Sequence, residues 1–170
     1  MNETTLPVLA KTWADEAFFY HLYPLGVCGA PWTNPEGPPV SRLRRLLDWI
    51  EPAARIGANA VLFGPLWESA THGYDTQNYR MLDRRLGTNE DLKEILAAWK
   101  ARGFRVVFDG VFNHCGREFP PFVDLRNRGS DSPYRDWFAG VDFGKPSPFG
   151  DPFSYEGRSE EHTSELQSQR

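Results

Sequence analysis

The order of apolar patterns along the chain predicts an α/β fold with parallel strands joined by helical crossovers. Two observations carry most of that expectation. ANAVLFGPLW (58–67) is a nearly continuous apolar run, as in a strand covered on both faces. RVVFD (105–109) is another, and it follows directly on a helix-like stripe. A third stretch, AFFYHLYPL (17–25), is rich in β-forming aromatics and runs out at Pro24, so strand, helix, strand, helix and strand succeed one another.

Each connecting element has its own signal. GVCGAPWTNPEGPPV is crowded with glycine and proline and reads as loop. Ser41 is a candidate helix cap, and Leu43, Leu46, Leu47 and Ile50 share one helical face. Pro52 opens a second short helix, PAARI, that Gly57 ends. A polar stretch, ESATHGYDTQNYRMLDRRLG, reads as loop. Thr88 and Asp91 then make a capping pair for a helix whose stripe is Leu92, Ile95, Leu96 and Trp99, ended by Gly103. From Cys115 to Gly157, aromatics and prolines mix without a period, which predicts a long excursion or small subdomain after the third strand.

Composition narrows the function classes. The 170 residues suffice for one domain with a core. With 40% apolar and 25% charged residues the chain reads as an ordinary soluble protein. A net charge of −4 argues against a nucleic-acid partner. No apolar run is long enough to span a membrane, and the N-terminus lacks a secretory pattern, so a cytoplasmic location is expected. There Cys28 and Cys115 are expected as free thiols. The aromatic share of 14% fits either a ring-built core or a ring-lined groove for sugars.

The chemistry concentrates in DGVFNH (109–114). Were the strand regular, Val107, Asp109, Val111 and Asn113 would share a face. Singly, Asp109 and His114 also read as a satisfied buried acid and a packed imidazole. Together with their neighbours they form a pattern. DGVFNH resembles the DxVxNH signature of the α-amylase superfamily, the family 13 glycoside hydrolases, through Asp109, Val111, Asn113 and His114. YHLYPL resembles that family's first strand, ANAVLFGPLWES its second, HGYDTQNY its GYDxxDY loop, and LGTNEDL the entry to the next helix. The resemblance covers residues 18 to 157, with SPFGDPFSYEG at its end, and its motifs are collinear.

The resemblance implies a partial TIM (β/α)8 barrel. Its first strands and helices would span 1–114, and the start of an inserted, domain B-like loop 115–157. It also implies roles. Tyr74 would stack on the sugar at the cleavage point and His114 would hydrogen-bond that sugar. Asp109 would be a supporting carboxylate, and Asp75 would contact a non-reducing-end sugar. Asn113 matches a calcium ligand of many but not all relatives, so calcium is implied without being required; no other cofactor is implied. Asn78 departs from the family's usual Asp, which puts the loop's hydrogen bonding in question.

No catalytic residue is expected within the chain. Retaining glycosidases need a nucleophilic and an acid/base carboxylate. The family takes its nucleophile Asp, acid Glu and a third Asp from later strands, here expected beyond Gly157. The implied activity is cleavage of α-glucosidic bonds in an α-glucan or malto-oligosaccharide, with transglycosylation or disaccharide isomerisation as variants. A non-catalytic carbohydrate-binding or scaffold protein is the rival. An aldolase-like barrel is a weaker one, since none of Lys11, Lys93, Lys100 and Lys145 falls at an expected strand end. The tail 158–170 reads either as a disordered polar terminus or as non-native, because RSEEHTSELQS resembles a translated sequencing adapter.

Overall fold

The computed structural model describes residues 11–155 and the backbone of Gly157–Glu160 and Thr163–Gln167. After a 3-10 turn at Trp13–Glu16, strand β1 covers Phe19–Leu22. Pro24 opens a single helical turn, α1 (Pro24–Val27), at the position where a missing N–H costs nothing. A long proline-rich loop leads to a 3-10 helix at Leu43–Trp49, which passes directly into α2 (Ile50–Arg55). Ser41 does not cap it. Its hydroxyl donates instead to the Asp91 carboxylate at 3.0–3.1 Å, a charged acceptor and therefore a stronger partner than a backbone group. The tighter 3-10 winding buries Leu43 and Leu46 at its period of three and leaves Leu47 exposed. Pro52 sits in the first turn of α2, where no intrahelical bond is lost.

Strand β2 is Ala60–Phe63, shorter than the apolar run from which it was expected. The rest of that run turns at Gly64–Pro65 and enters a hairpin, β3 (Trp67–Ser69) against β4 (Thr76–Leu82), where the sequence suggested only loop. Its register is irregular around Glu68, and it buries the polar residues Glu68, Ser69 and Thr76 while exposing Met81, so the alternation that marks a strand is weak. Helix α3 (Asn89–Ala101) starts on the expected capping box. Thr88 Oγ1 accepts from the Asp91 amide at 3.2 Å, and Asp91 Oδ2 accepts from the Thr88 amide at 2.8 Å. Gly103, at φ +93°, turns the chain into β5 (Arg105–Phe108).

Strands β1, β2 and β5 form one parallel sheet in that order, registered Phe19↔Ala60↔Arg105 through Leu22↔Phe63↔Phe108. Helix α3 covers one face with Leu92, Ile95 and Trp99. Trp99 meets Phe63 and Phe104 edge-on, with centroids 5.6 and 4.8 Å apart. Burial of aromatic and aliphatic side chains of this size is worth about 1.5–3 kcal/mol each and holds the crossovers to the sheet.

The sheet's regularity ends at Phe108. DGVFNH is a turn, not the continuation of a strand, so its residues do not alternate on one face. β6 (His114–Gly116) follows, and then α4 (Pro120–Arg128), two 3-10 turns and irregular chain. The excursion has its own buried cluster, in which Phe122 contacts Phe138, Phe153 and Tyr155. The tail was expected to be disordered. Its described backbone instead forms two antiparallel strands, β7 (Gly157–Glu160) and β8 (Thr163–Gln167), and β8 pairs with β6. Polar residues can do this because β6 offers an open edge of backbone donors and acceptors. Among the described residues no helix is long and apolar enough to cross a membrane.

Candidate sugar site at the carboxyl ends of the strands

Asp109 directly follows β5, and its amide extends the parallel ladder with a 2.9 Å bond to the Phe63 carbonyl. Its Oδ1 accepts the Val111 amide at 3.1 Å, closing a tight turn. Val111 has φ +48°, a left-handed conformation that a β-branched residue adopts at a cost of about 1–3 kcal/mol. Two features hold it there. Its side chain is buried, and the Tyr79 hydroxyl lies 3.0 Å from the Val111 carbonyl and 2.8 Å from that of His114. Burial pushes the Tyr79 phenol far above its ordinary range, so it remains a donor. The Tyr79 hydroxyl thereby holds the backbone of His114 as well.

The loop between β3 and β4 brings the second group. Tyr74 is 38% exposed, and its phenol is raised above the ordinary value first by burial and then by the Asp109 carboxylate beside it. Asp75 is buried; its Oδ2 accepts from Thr71 Oγ1 at 2.8 Å, and among the described residues no hydrogen-bond donor reaches its Oδ1. The Tyr74 amide donates to His72 Nδ1 at 3.1 Å, which makes that nitrogen the lone-pair one. His72 Nδ1 and Asp75 Oδ1 lie 3.9 Å apart. The two loops are in contact at a second point. A Cβ on Gly116 would come within 2.5 Å of the Asp75 carbonyl, so only glycine permits this approach.

Tyr74, Asp75, Asp109 and the His114 backbone are thus gathered at one end of the sheet. Asn113 is not part of the group; it is exposed on the turn. Calcium is the metal the resemblance implied, and the described residues do not fit it. They contain no cluster of three or more histidine, cysteine or carboxylate side chains, and Asn113 stands without companions of that kind. At Asn78, the Asp-to-Asn departure leaves the local bond intact, since its Oδ1 accepts the Arg80 amide at 2.9 Å.

Sequence reasoning missed the support beneath this group. Arg85 and Asp83 form a buried pair at 2.6 Å, 2% and 0% exposed. Arg85 Nη1 also donates to the carbonyls of Pro31, Trp32 and Thr71 at 2.6–3.0 Å, so one guanidinium ties the loop after β1 to the loop that carries Tyr74 and Asp75. Tyr23, just past β1, adds a 2.7 Å bond to the His72 carbonyl. The D-x-R spacing in LDRRLG was the available signal. Cys28 and Cys115 are both free and buried, and burial pushes their thiols up to about 11 and about 12. Neither has the thiolate character a nucleophile needs.

The family description "Alpha amylase, catalytic domain" matches residues 43–166. A cyclomaltodextrinase of Bacillus sp is 36% identical over 141 residues, covering 74% of this chain and 25% of the relative. An oligo-1,6-glucosidase of Heyndrickxia coagulans is 34% identical over 142 residues, covering 82% and 24%. The chain therefore spans about a quarter of the length of the curated relatives it matches. Among solved structures, the cyclic alpha-maltosyl-(1-->6)-maltose hydrolase from Arthrobacter globiformis, in complex with maltose, aligns with a TM-score of 0.70 at 27% identity, covering 92% of this chain and 38% of that one. With more than half its length matched, the chain belongs to the α-amylase catalytic-domain family of glycoside hydrolases.

Proposed function

We propose that this chain is the amino-terminal part of the (β/α)8 barrel of a retaining enzyme that cleaves α-glucosidic bonds in malto-oligosaccharides or cyclic dextrins. The observation that carries the reading is that the loop bearing Tyr74 and Asp75 packs, through the Asp75 carbonyl against Gly116, beside the turn that Asp109 opens where the parallel strands end, which is where barrel enzymes keep their sites. In this reading the Tyr74 ring stacks on the apolar face of the sugar at the cleavage point. His114 hydrogen-bonds the same sugar as its ring flattens toward an oxocarbenium ion. Asp75 Oδ1, an acceptor with no donor among the described residues, takes a sugar hydroxyl. Asp109 orients its neighbours and does not react.

Double displacement needs a carboxylate nucleophile and a carboxylic acid on opposite sides of the anomeric carbon. This chain supplies the binding wall and not that pair, so it has no turnover alone. Residues 158–170 are read as translated adapter, replacing the native continuation. The test expresses residues 1–157 and the open reading frame extended past Gly157, and assays both on maltotriose, starch and a nitrophenyl α-glucoside. Turnover by the extended protein alone is expected. Hydrolysis by residues 1–157 above a buffer control overturns the fragment reading. An extended frame with no Asp and Glu at later strand ends overturns the enzyme reading in favour of a binding protein.

A further inference from the structure

Resting on the glucan reading above, we propose that Trp32 is the platform of a second sugar subsite, holding the glucosyl unit next to the one on Tyr74. Trp32 lies in the proline-rich loop after β1 and is 63% exposed. Its backbone is clamped on both sides. The Trp32 carbonyl accepts from Arg85 Nη1 at 2.8 Å, and two residues on, the Asn34 amide donates to the Ala70 carbonyl at 2.9 Å. The Asn34 side chain adds a 2.7 Å bond to the Ser69 carbonyl. An exposed indole on an immobilised backbone is pre-organised, so little ordering entropy opposes a ligand that stacks on it.

The surroundings match one flat, partly apolar ligand. Trp32 walls a concavity of about 160 Å³ with Tyr23, Leu25, Pro31 and Thr71. The Trp32 ring is 5.9 Å from that of His72, and His72 is 6.0 Å from Tyr74. His72 thus neighbours both Tyr74, under the proposed cleavage-point sugar, and Trp32, which walls the concavity. In the proposed site a disaccharide places one ring on Tyr74 and the next on Trp32, and glucose occupies the Tyr74 position alone. Trp32 is accordingly a specificity-determining residue that separates longer substrates from glucose.

The test measures glucose and maltose binding to the chain as it stands by titration calorimetry, with tryptophan emission as a second readout. Trp32→Ala, Trp32→Tyr and Tyr74→Ala are compared with wild type. Wild type is expected to prefer maltose over glucose by roughly tenfold, the scale of one added aromatic contact. Trp32→Ala should abolish that preference, Trp32→Tyr should keep most of it, and Tyr74→Ala should weaken both sugars. If Trp32→Ala keeps the maltose preference while Tyr74→Ala loses binding, the Trp32 subsite is wrong and the glucan reading survives. If wild type binds neither sugar, both fall.

Discussion

The phenol of Tyr74 and the carboxylate of Asp109 come from segments 35 residues apart and are electrostatically coupled at the end of the sheet. In the proposed site the ring face of Tyr74, and not its hydroxyl, meets the sugar. Tyr74→Phe should therefore keep sugar affinity within about threefold, while Tyr74→Ala should lose roughly tenfold. Calorimetry with methyl α-glucoside measures both. A larger loss in the Phe variant would assign the contact to the hydroxyl.

Arg85 and Asp83 bury opposite charges that need each other. Arg85→Met strands the Asp83 carboxylate and frees three carbonyls, so a loss of about 3–5 kcal/mol in denaturant unfolding is expected. Arg85→Lys should recover little, because a single ammonium cannot replace the guanidinium fork. Near-normal stability in Arg85→Lys would contradict the role given to that geometry.

Gly116→Ala drives a methyl into the Asp75 backbone carbonyl, a clash with main chain that no rotamer relieves. The expected penalty is about 1–3 kcal/mol, with weakened sugar binding because the two site loops are pushed apart. Gly103→Ala is the control. Its Cβ meets nothing, so its φ of +93° should destabilise the chain without changing affinity at saturating fold.

Alkaline pH should unfold the chain early. Burial raises Cys28 to about 11 and Cys115 to about 12, from ordinary values near 9, and Tyr155 to about 12. The native state keeps protons that the unfolded chain releases, so this stability is complete below about pH 9 and falls as pH rises toward 12. Melting temperatures between pH 7 and 11 should be flat and then decline, and Cys115→Ala should make the decline shallower. An unchanged slope would remove Cys115 from the account.

At the acid end the Thr88–Asp91 capping box sets the behaviour. Hydrogen bonds from Thr88, the backbone one first, hold the Asp91 carboxyl below its ordinary value. That contribution is present above the ordinary carboxylate pKa and is lost as pH falls below about 4. Thr88→Ala should cost about 1 kcal/mol at neutral pH. Melts of Asp91→Asn should depend less on pH below about 4 than those of wild type.

Helix α3, the three parallel strands and the placement of Asp109 were legible because each rests on local chemistry: a capping box, apolar runs, a glycine stop. The hairpin β3–β4 was not, since its polar residues lack the alternation that marks a strand and its pairing is settled by partners across the turn. Ser41 looked like a cap, and a carboxylate distant in sequence took its hydroxyl. The left-handed Val111 was also invisible, because nothing about valine suggests that conformation. Tyr79, far along the chain, holds it in place.

By itself the sequence determined the family, through the resemblance of its collinear motifs, and the order of the three parallel strands with the helices between them. The strands and helices follow from residue type and spacing along the chain. Only the tertiary structure decided that Arg85 clamps two loops, that the Asp75 carbonyl lies against Gly116, and that Trp32 stands exposed beside His72. Those relationships join residues far apart in sequence, and their energies arise only when folding excludes water and brings the partners within a hydrogen bond's length.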